Sequence, residues 1–175
     1  MFKNKFCSIL IAVCSLLVSF GATAHTVHVT VKLGKISVLQ TAEKNGDKVY
    51  FSISSYPTKA VPVLTRIPEF PLHWLSKDFK NMSNITLWQG DILPNQGVML
   101  ILSLIEQASL PFAADDHIGS AQLTLYNNNG KLQEAWGQPH FIDQPKVQQP
   151  DLKIPKFIMY GNKSKYVTIF KIVTQ

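Results

Sequence analysis

Short segments in which polar and apolar residues alternate recur along the chain from residue 27 onward. Residues 27–33, 48–54 and 118–126 are the clearest examples. Turn sequences rich in Asn and Gly, at 45–47 and 127–130, separate such segments. A period of two is typical of strands that are buried on one face, so the sequence predicts a β-rich chain.

Eight or nine of these segments follow one another without the strand–helix alternation of an α/β protein. We therefore predict an all-β fold, a single antiparallel β-sandwich of about eight strands spanning residues 25–175. Residues 98–105 are almost all aliphatic, which predicts a central strand buried on both faces. Only residues 72–82 are expected to hold a helical turn or two, and the Pro- and Gln-rich segment 139–155 is expected to be a connection.

The N-terminal 24 residues have the features of a secretory signal peptide. Lys3 and Lys5 precede an uncharged apolar run, and Ala22 and Ala24 occupy the small-residue positions of a cleavage site. The run is shorter than the ~20 residues that a transmembrane helix needs. We predict that residues 1–24 are removed, which leaves His25 as the first residue of a secreted or periplasmic protein.

Charge and motif content narrow the function. The chain has a net charge of +6, or +4 once residues 1–24 and their two lysines are removed. Arg66 is the only arginine, and lysine lacks the bidentate fork that suits bases and phosphates, so we expect no nucleic-acid binding. The positive charge favours anionic surfaces. Because no G-x-S-x-G, H-E-x-x-H or P-loop sequence occurs, we predict that the protein is not an enzyme. We also expect it to be a monomer.

Two loop sequences are similar to those of C2 domains, β-sandwiches that typically bind calcium and then phospholipid. The first is GDKVYF at residues 46–51, which follows a short aliphatic segment, residues 35–40, that is predicted to be a separate strand. The second combines a central strand that ends at Glu106 with DDHIG at residues 115–119. The chain departs from the family pattern at Thr41 and Ala108, where further acids are expected.

The resemblance implies a weak calcium site with acidic ligands and a membrane-inserting loop tip. Calcium prefers six to eight oxygen ligands, several of them carboxylate, and the chain offers too few acids for tight binding. The four implied metal ligands are Asp47, Glu106, Asp115 and Asp116. The apolar tip between the last of these acids and the central strand includes Leu110 and Phe112, which are implied to bind membrane. The alternative is that these acids are ordinary polar loop residues.

The function predicted from these features is an exported, non-enzymatic binding module of C2-like type. Its expected partner is an anionic membrane surface or a protein, engaged through loops 40–47 and 106–118. Calcium is the expected cofactor.

Two alternatives stay open. A free α-amine and imidazole on His25 could chelate copper with a second histidine, of which His140 is one candidate, in a secreted or periplasmic copper-binding protein. A carbohydrate-binding module would instead use exposed Trp74, Trp88 and Trp136 for stacking on sugars. The simpler interpretation of the three tryptophans is that they pack in the core.

Overall fold

The computed structural model describes residues 25–108, 113–139, 147–151, 155–161 and 163–175, of which 147–151 as backbone alone. These residues form eleven strands and one short 3₁₀ helix at Ser76–Asn81. The strands are β1 (Val27–Gln40), β2 (Lys48–Pro57), β3 (Val63–Ile67), β4 (Trp74–Leu75), β5 (Ile85–Ile92), β6 (Gly97–Glu106), β7 (Asp116–Asn128), β8 (Lys131–Gly137), β9 (Val147–Asp151), β10 (Lys156–Gly161) and β11 (Ser164–Thr174).

The strands form two antiparallel sheets that make a β-sandwich. The first sheet has the order β5-β1-β11-β10-β9, and the second has the order β3-β2-β6-β7-β8 with β4 added beside β2. Every strand pair in the described residues is antiparallel. The all-β sandwich predicted from the alternating pattern is therefore confirmed.

The core lies between the two sheets and is built from both. Phe51 of the second sheet meets Phe170 of the first edge to face, with ring centroids 6.0 Å apart. Phe157 packs against the same Phe170 ring at 5.8 Å, and Trp136 stacks on it at 5.5 Å. All three phenylalanines are at most 1% exposed, and burying each such side chain contributes about 1.5–3 kcal/mol.

Several local predictions are confirmed. The aliphatic segment 98–105 is part of β6, the middle strand of the second sheet, and most of its side chains are buried. The 3₁₀ helix lies inside the segment where a helical turn was expected. Trp74, Trp88 and Trp136 are half-buried and pack against the core.

The structure differs from the predicted elements in two places. Residues 27–33 and 35–40, expected as separate strands, form one strand because the chain passes through a bulge at Gly34 and continues to pair with β11. β10 was not predicted, and β9 lies within the expected connection. The prolines on both sides obscured these strands, since proline is a signal for turns and strand edges.

Different segments of the chain meet at the two ends of the sandwich. At one end, the β7–β8 hairpin lies against the start of β1, where an ideal Cβ on Gly130 would approach His25 Cβ to 3.2 Å. At the other end, the segment 41–47 meets the last residue of β6 and the first residue of β11.

No helix in the described residues is long and apolar enough to cross a membrane.

Candidate functional site

Asp47 and Glu106, two of the acids predicted as metal ligands, meet at this second end of the sandwich. Asp47 immediately precedes β2, and Glu106 is the last residue of β6, where it lies opposite Val49 in the antiparallel register. Asp47 is fully buried and Glu106 is 7% exposed. Because buried carboxylates need compensating partners, the groups around them decide what the pair can do.

The Asp47 carboxylate accepts three hydrogen bonds from within the fold. Tyr166 Oη and Ser164 Oγ donate to Asp47 Oδ2, the latter at 2.6 Å. The backbone N–H of Glu43 donates to Asp47 Oδ1 at 2.9 Å. Both carboxylate oxygens are thus occupied by donors from β11 and from the loop itself, and the carboxylate holds these segments together.

Glu106 is joined to this cluster through Ser164. Ser164 Oγ lies 3.3 Å from Glu106 Oε2, but its single proton is already used in the shorter bond to Asp47. Burial, and then the negative charge of Asp47, raise the pKa of Glu106 from its ordinary 4.5 to about 7. A protonated Glu106 can donate to the Ser164 oxygen, so protonation of Glu106 allows both acids to lie in one buried site. Burial and the bond to Asp47 likewise raise the pKa of Tyr166.

The cluster also fixes the segment 41–47 against the 3₁₀ helix. The backbone N–H of Asp47 donates to Ser76 Oγ, and the backbone N–H of Ser76 donates to the Asp47 carbonyl oxygen, each at 2.9 Å. Gly46 has a φ of +90°, a conformation that glycine alone adopts without strain. An ideal Cβ there would lie 2.8 Å from Ser76 Oγ, so the turn needs a residue without a side chain.

The other two predicted metal ligands, Asp115 and Asp116, lie outside this cluster, on the surface. Asp115 Oδ2 accepts a hydrogen bond from Tyr50 Oη at 2.8 Å, and its Oδ1 accepts one from the Ala108 N–H at 3.0 Å. Asp116 is exposed and lies opposite Glu106 in the β6–β7 register. Among the described residues, no group of three or more His, Cys, Asp or Glu side chains is placed to hold a metal. Calcium binding at these acids stays a prediction.

Of the residues predicted to bind membrane or copper, the structure describes only His25. Leu110 and Phe112, the expected membrane-inserting tip, and His140, the copper candidate, lie outside the described residues. His25 is exposed, and its carbonyl oxygen accepts a hydrogen bond from Asn127 Nδ2 at 2.7 Å. The copper and membrane hypotheses therefore stay predictions.

A basic groove lies on the outer side of the segment 41–47. It has a volume of about 1180 Å³ and runs between residues 34–38 of β1, the segment 41–46 and the chain from 76 to 83. Its described lining contains no acidic residue but four exposed lysines. The four are Lys35, Lys44, Lys77 and Lys80, and we call this surface the lysine groove.

Local structure explains how the 3₁₀ helix supplies two of these lysines. With three residues per turn, side chains at i and i+3 lie one above the other. Ser76 and Phe79 are therefore on one face, and both are buried. Lys77 and Lys80 share the next face, and both are exposed. The helix thus packs on the fold while it directs two ammonium groups to the groove.

These lysines lack carboxylate partners within the described part of the chain. The one ion pair found there joins His28 to Asp91, with 2.7 Å between His28 Nδ1 and Asp91 Oδ1. Four like charges around one concave surface raise the local positive potential and attract anions. The overall basic charge and the loop 40–47 were evident from the sequence, but the groove was not. The only local signal was the spacing of Lys77 and Lys80 within the expected helical turn.

Comparison with known proteins identifies no family. No protein-family model matches the chain, and no curated protein matches it. The C2 resemblance rests on the two loop sequences alone and stays a prediction.

Proposed function

We propose that the chain is an exported, non-enzymatic binding module that engages an anionic partner through the lysine groove beside loop 40–47. The observation that supports this proposal is the convergence of four exposed lysines on one groove whose described lining has no acid. Clefts lined by one sign of charge focus the electric field and concentrate ligands of the opposite charge.

The proposal accounts for the loop as well as for the charge. Loop residues Thr41, Lys44, Asn45 and Gly46 form one wall of the groove, and the buried Asp47 cluster holds that loop in place. A rigidly held loop presents its charges without an ordering cost on binding. The groove also offers the hydroxyl groups of Ser37, Thr41 and Ser83 as hydrogen-bond partners for ligand oxygens.

The test uses two anionic probes, poly-glutamate and vesicles containing phosphatidylglycerol, with neutral phosphatidylcholine vesicles for comparison. We expect the exported protein to bind at least one anionic probe, to bind more weakly as salt rises, and to ignore the neutral vesicles. The double substitution Lys44→Glu with Lys77→Glu should lower affinity at least tenfold, because it reverses two groove charges.

The double substitution Lys59→Glu with Lys131→Glu provides the matched control, since it reverses two exposed lysine charges at the opposite end of the sandwich. It should leave both affinity and thermal stability near those of the unchanged protein. Two results would contradict the proposal. One is the absence of binding to either anionic probe at low salt, and the other is an equal loss of affinity in the control variant.

A further inference from the structure

One edge of β1 is paired along only half of its length. On one side β1 pairs with β11 from Val29 to Gln40. On the other side it pairs with β5 only from Val27 to Leu33. From Gly34 onward, that second edge has no strand partner among the described residues. An unpaired edge presents a row of backbone N–H and C=O groups that can template another strand.

The chain departs from β1 at a definite position. Ile85, the first residue of β5, pairs with Leu33, and the preceding Asn84 has a φ of +57°. This left-handed conformation interrupts the extended backbone, so the segment before β5 does not continue the strand pairing, although the 3₁₀ helix stays in contact with β1. The 3₁₀ helix and residues 82–83 then form the opposite wall of the lysine groove. The unpaired edge of β1 and the groove are therefore the same place.

The size and lining of the groove fit an extended peptide. Residues 34–38 of β1 line it consecutively, as expected of an open strand edge. Successive side chains of a strand point to opposite faces. Lys35 is exposed and Ile36 is buried, so an added strand would lie beside a basic surface on one face and an apolar one on the other. Phe79 and Met82 add apolar lining.

We propose that the anionic partner is an extended acidic segment of another protein, which adds as a strand to residues 34–38 of β1. This inference rests on the function proposed above. Backbone hydrogen bonds to the open edge would give affinity, and alternate side chains would give specificity. The matching sequence alternates acidic residues, which face the lysines, with apolar residues, which lie beside Ile36 and Val38.

Lysines at the edge of a sheet can have a different role, which is to prevent strand pairing between copies of a protein. The two roles differ in their consequences. Lysines that only protect the edge predict no affinity for an acidic strand, whereas lysines that recognise a ligand predict affinity that falls when their charge is reversed. The concentration of four of them around one groove, three of them outside β1, favours recognition.

The test measures binding of the full exported protein to an eight-residue peptide of alternating Glu and Val. The comparison peptide has the same sequence with alternate backbone nitrogens methylated along the edge that would pair, which removes donors but keeps the charges. A second arm uses phosphatidylglycerol vesicles. We expect the first peptide to bind, the methylated peptide to bind at least tenfold more weakly, and the vesicles not to displace the bound peptide.

Each outcome bears on a separate claim. Equal binding of both peptides would overturn strand addition while an anionic groove remains. Binding of vesicles without binding of peptide would overturn the protein partner in favour of lipid. If neither probe binds, the proposed function itself fails. Lys35→Glu should weaken peptide binding at least fivefold, and Lys131→Glu should leave it unchanged.

Discussion

The two sides of the segment 41–47 carry opposite charges in opposite surroundings. On the inner side, Asp47 and Glu106 are buried and bonded to Ser164 and Tyr166. On the outer side, lysines are exposed and have no carboxylate partner within the described residues. The acids were the more conspicuous feature of the sequence, but in the structure they hold the loop, while the lysines face the space where a ligand can bind.

The difference follows from the number of available partners. A carboxylate that receives three internal donors is stabilised in place and has little capacity left for a ligand. An exposed ammonium group without an internal partner keeps its full capacity for an external anion. Substitutions on the inner side should therefore change stability, and substitutions on the outer side should change binding.

Asp47→Ala should have the largest effect on stability. It removes the acceptor of three hydrogen bonds, two of which come from the buried hydroxyl groups of Tyr166 and Ser164. Each unsatisfied buried group costs about 1–3 kcal/mol, so we expect a loss of roughly 3 kcal/mol in the free energy of unfolding, measured with urea. The exposed Asp78 provides a control, and Asp78→Ala should cost less than about 0.5 kcal/mol. Equal effects in the two variants would show that Asp47 does not hold the loop.

Gly46→Ala tests the same loop from its backbone. The positive φ and the approach to Ser76 Oγ should together cost about 1–3 kcal/mol. Gly137→Ala is the matched control, because an ideal Cβ at that position meets no atom within 4 Å. Its free energy of unfolding should stay within about 0.5 kcal/mol of the original value. An unchanged free energy of unfolding in Gly46→Ala would contradict the described turn.

Glu106 should make stability depend on pH. Its pKa is raised to about 7 in the folded protein, so between pH 4.5 and 7 the folded state binds its proton more tightly than the unfolded state does. The free energy of unfolding should therefore fall as pH rises through this window, by at most ~1.4 kcal/mol per unit from this group. Glu106→Gln should remove that fall.

The measurement compares urea unfolding of the two proteins at several pH values in the presence of a chelator. The difference between them isolates Glu106 from the other titrating groups. A difference that is constant between pH 4.5 and 7 would contradict a raised pKa.

Calcium should produce the smallest change. The sequence predicts that millimolar Ca²⁺ stabilises the protein, and a ligand that binds only the native state adds about 1.4 kcal/mol at ten times its Kd. Asp116→Asn should abolish this increment in a thermal shift measurement, whereas Asp78→Asn should keep it. An unchanged melting temperature in 10 mM Ca²⁺ would contradict a calcium site at these acids.

The buried acid pair, but not the lysine groove, could be partly predicted from the sequence. The turn at residues 45–47 and the strand that ends at Glu106 placed two acids at strand ends, and the structure brings these two acids together. No local pattern connects them with Ser164 and Tyr166, which lie more than fifty residues further along the chain. Contacts of that separation depend on which strands become neighbours.

The sequence by itself determined the all-β architecture, because the period of two and the spacing of turn residues are local properties that burial of one face enforces. Only the tertiary structure decided the roles of the charges. Strand order places β11 beside β1 and leaves one edge of β1 open, and packing turns Asp47 inward while four lysines line that opening. The physical reason is that burial and electrostatic environment depend on neighbours in space, which local alternation does not specify.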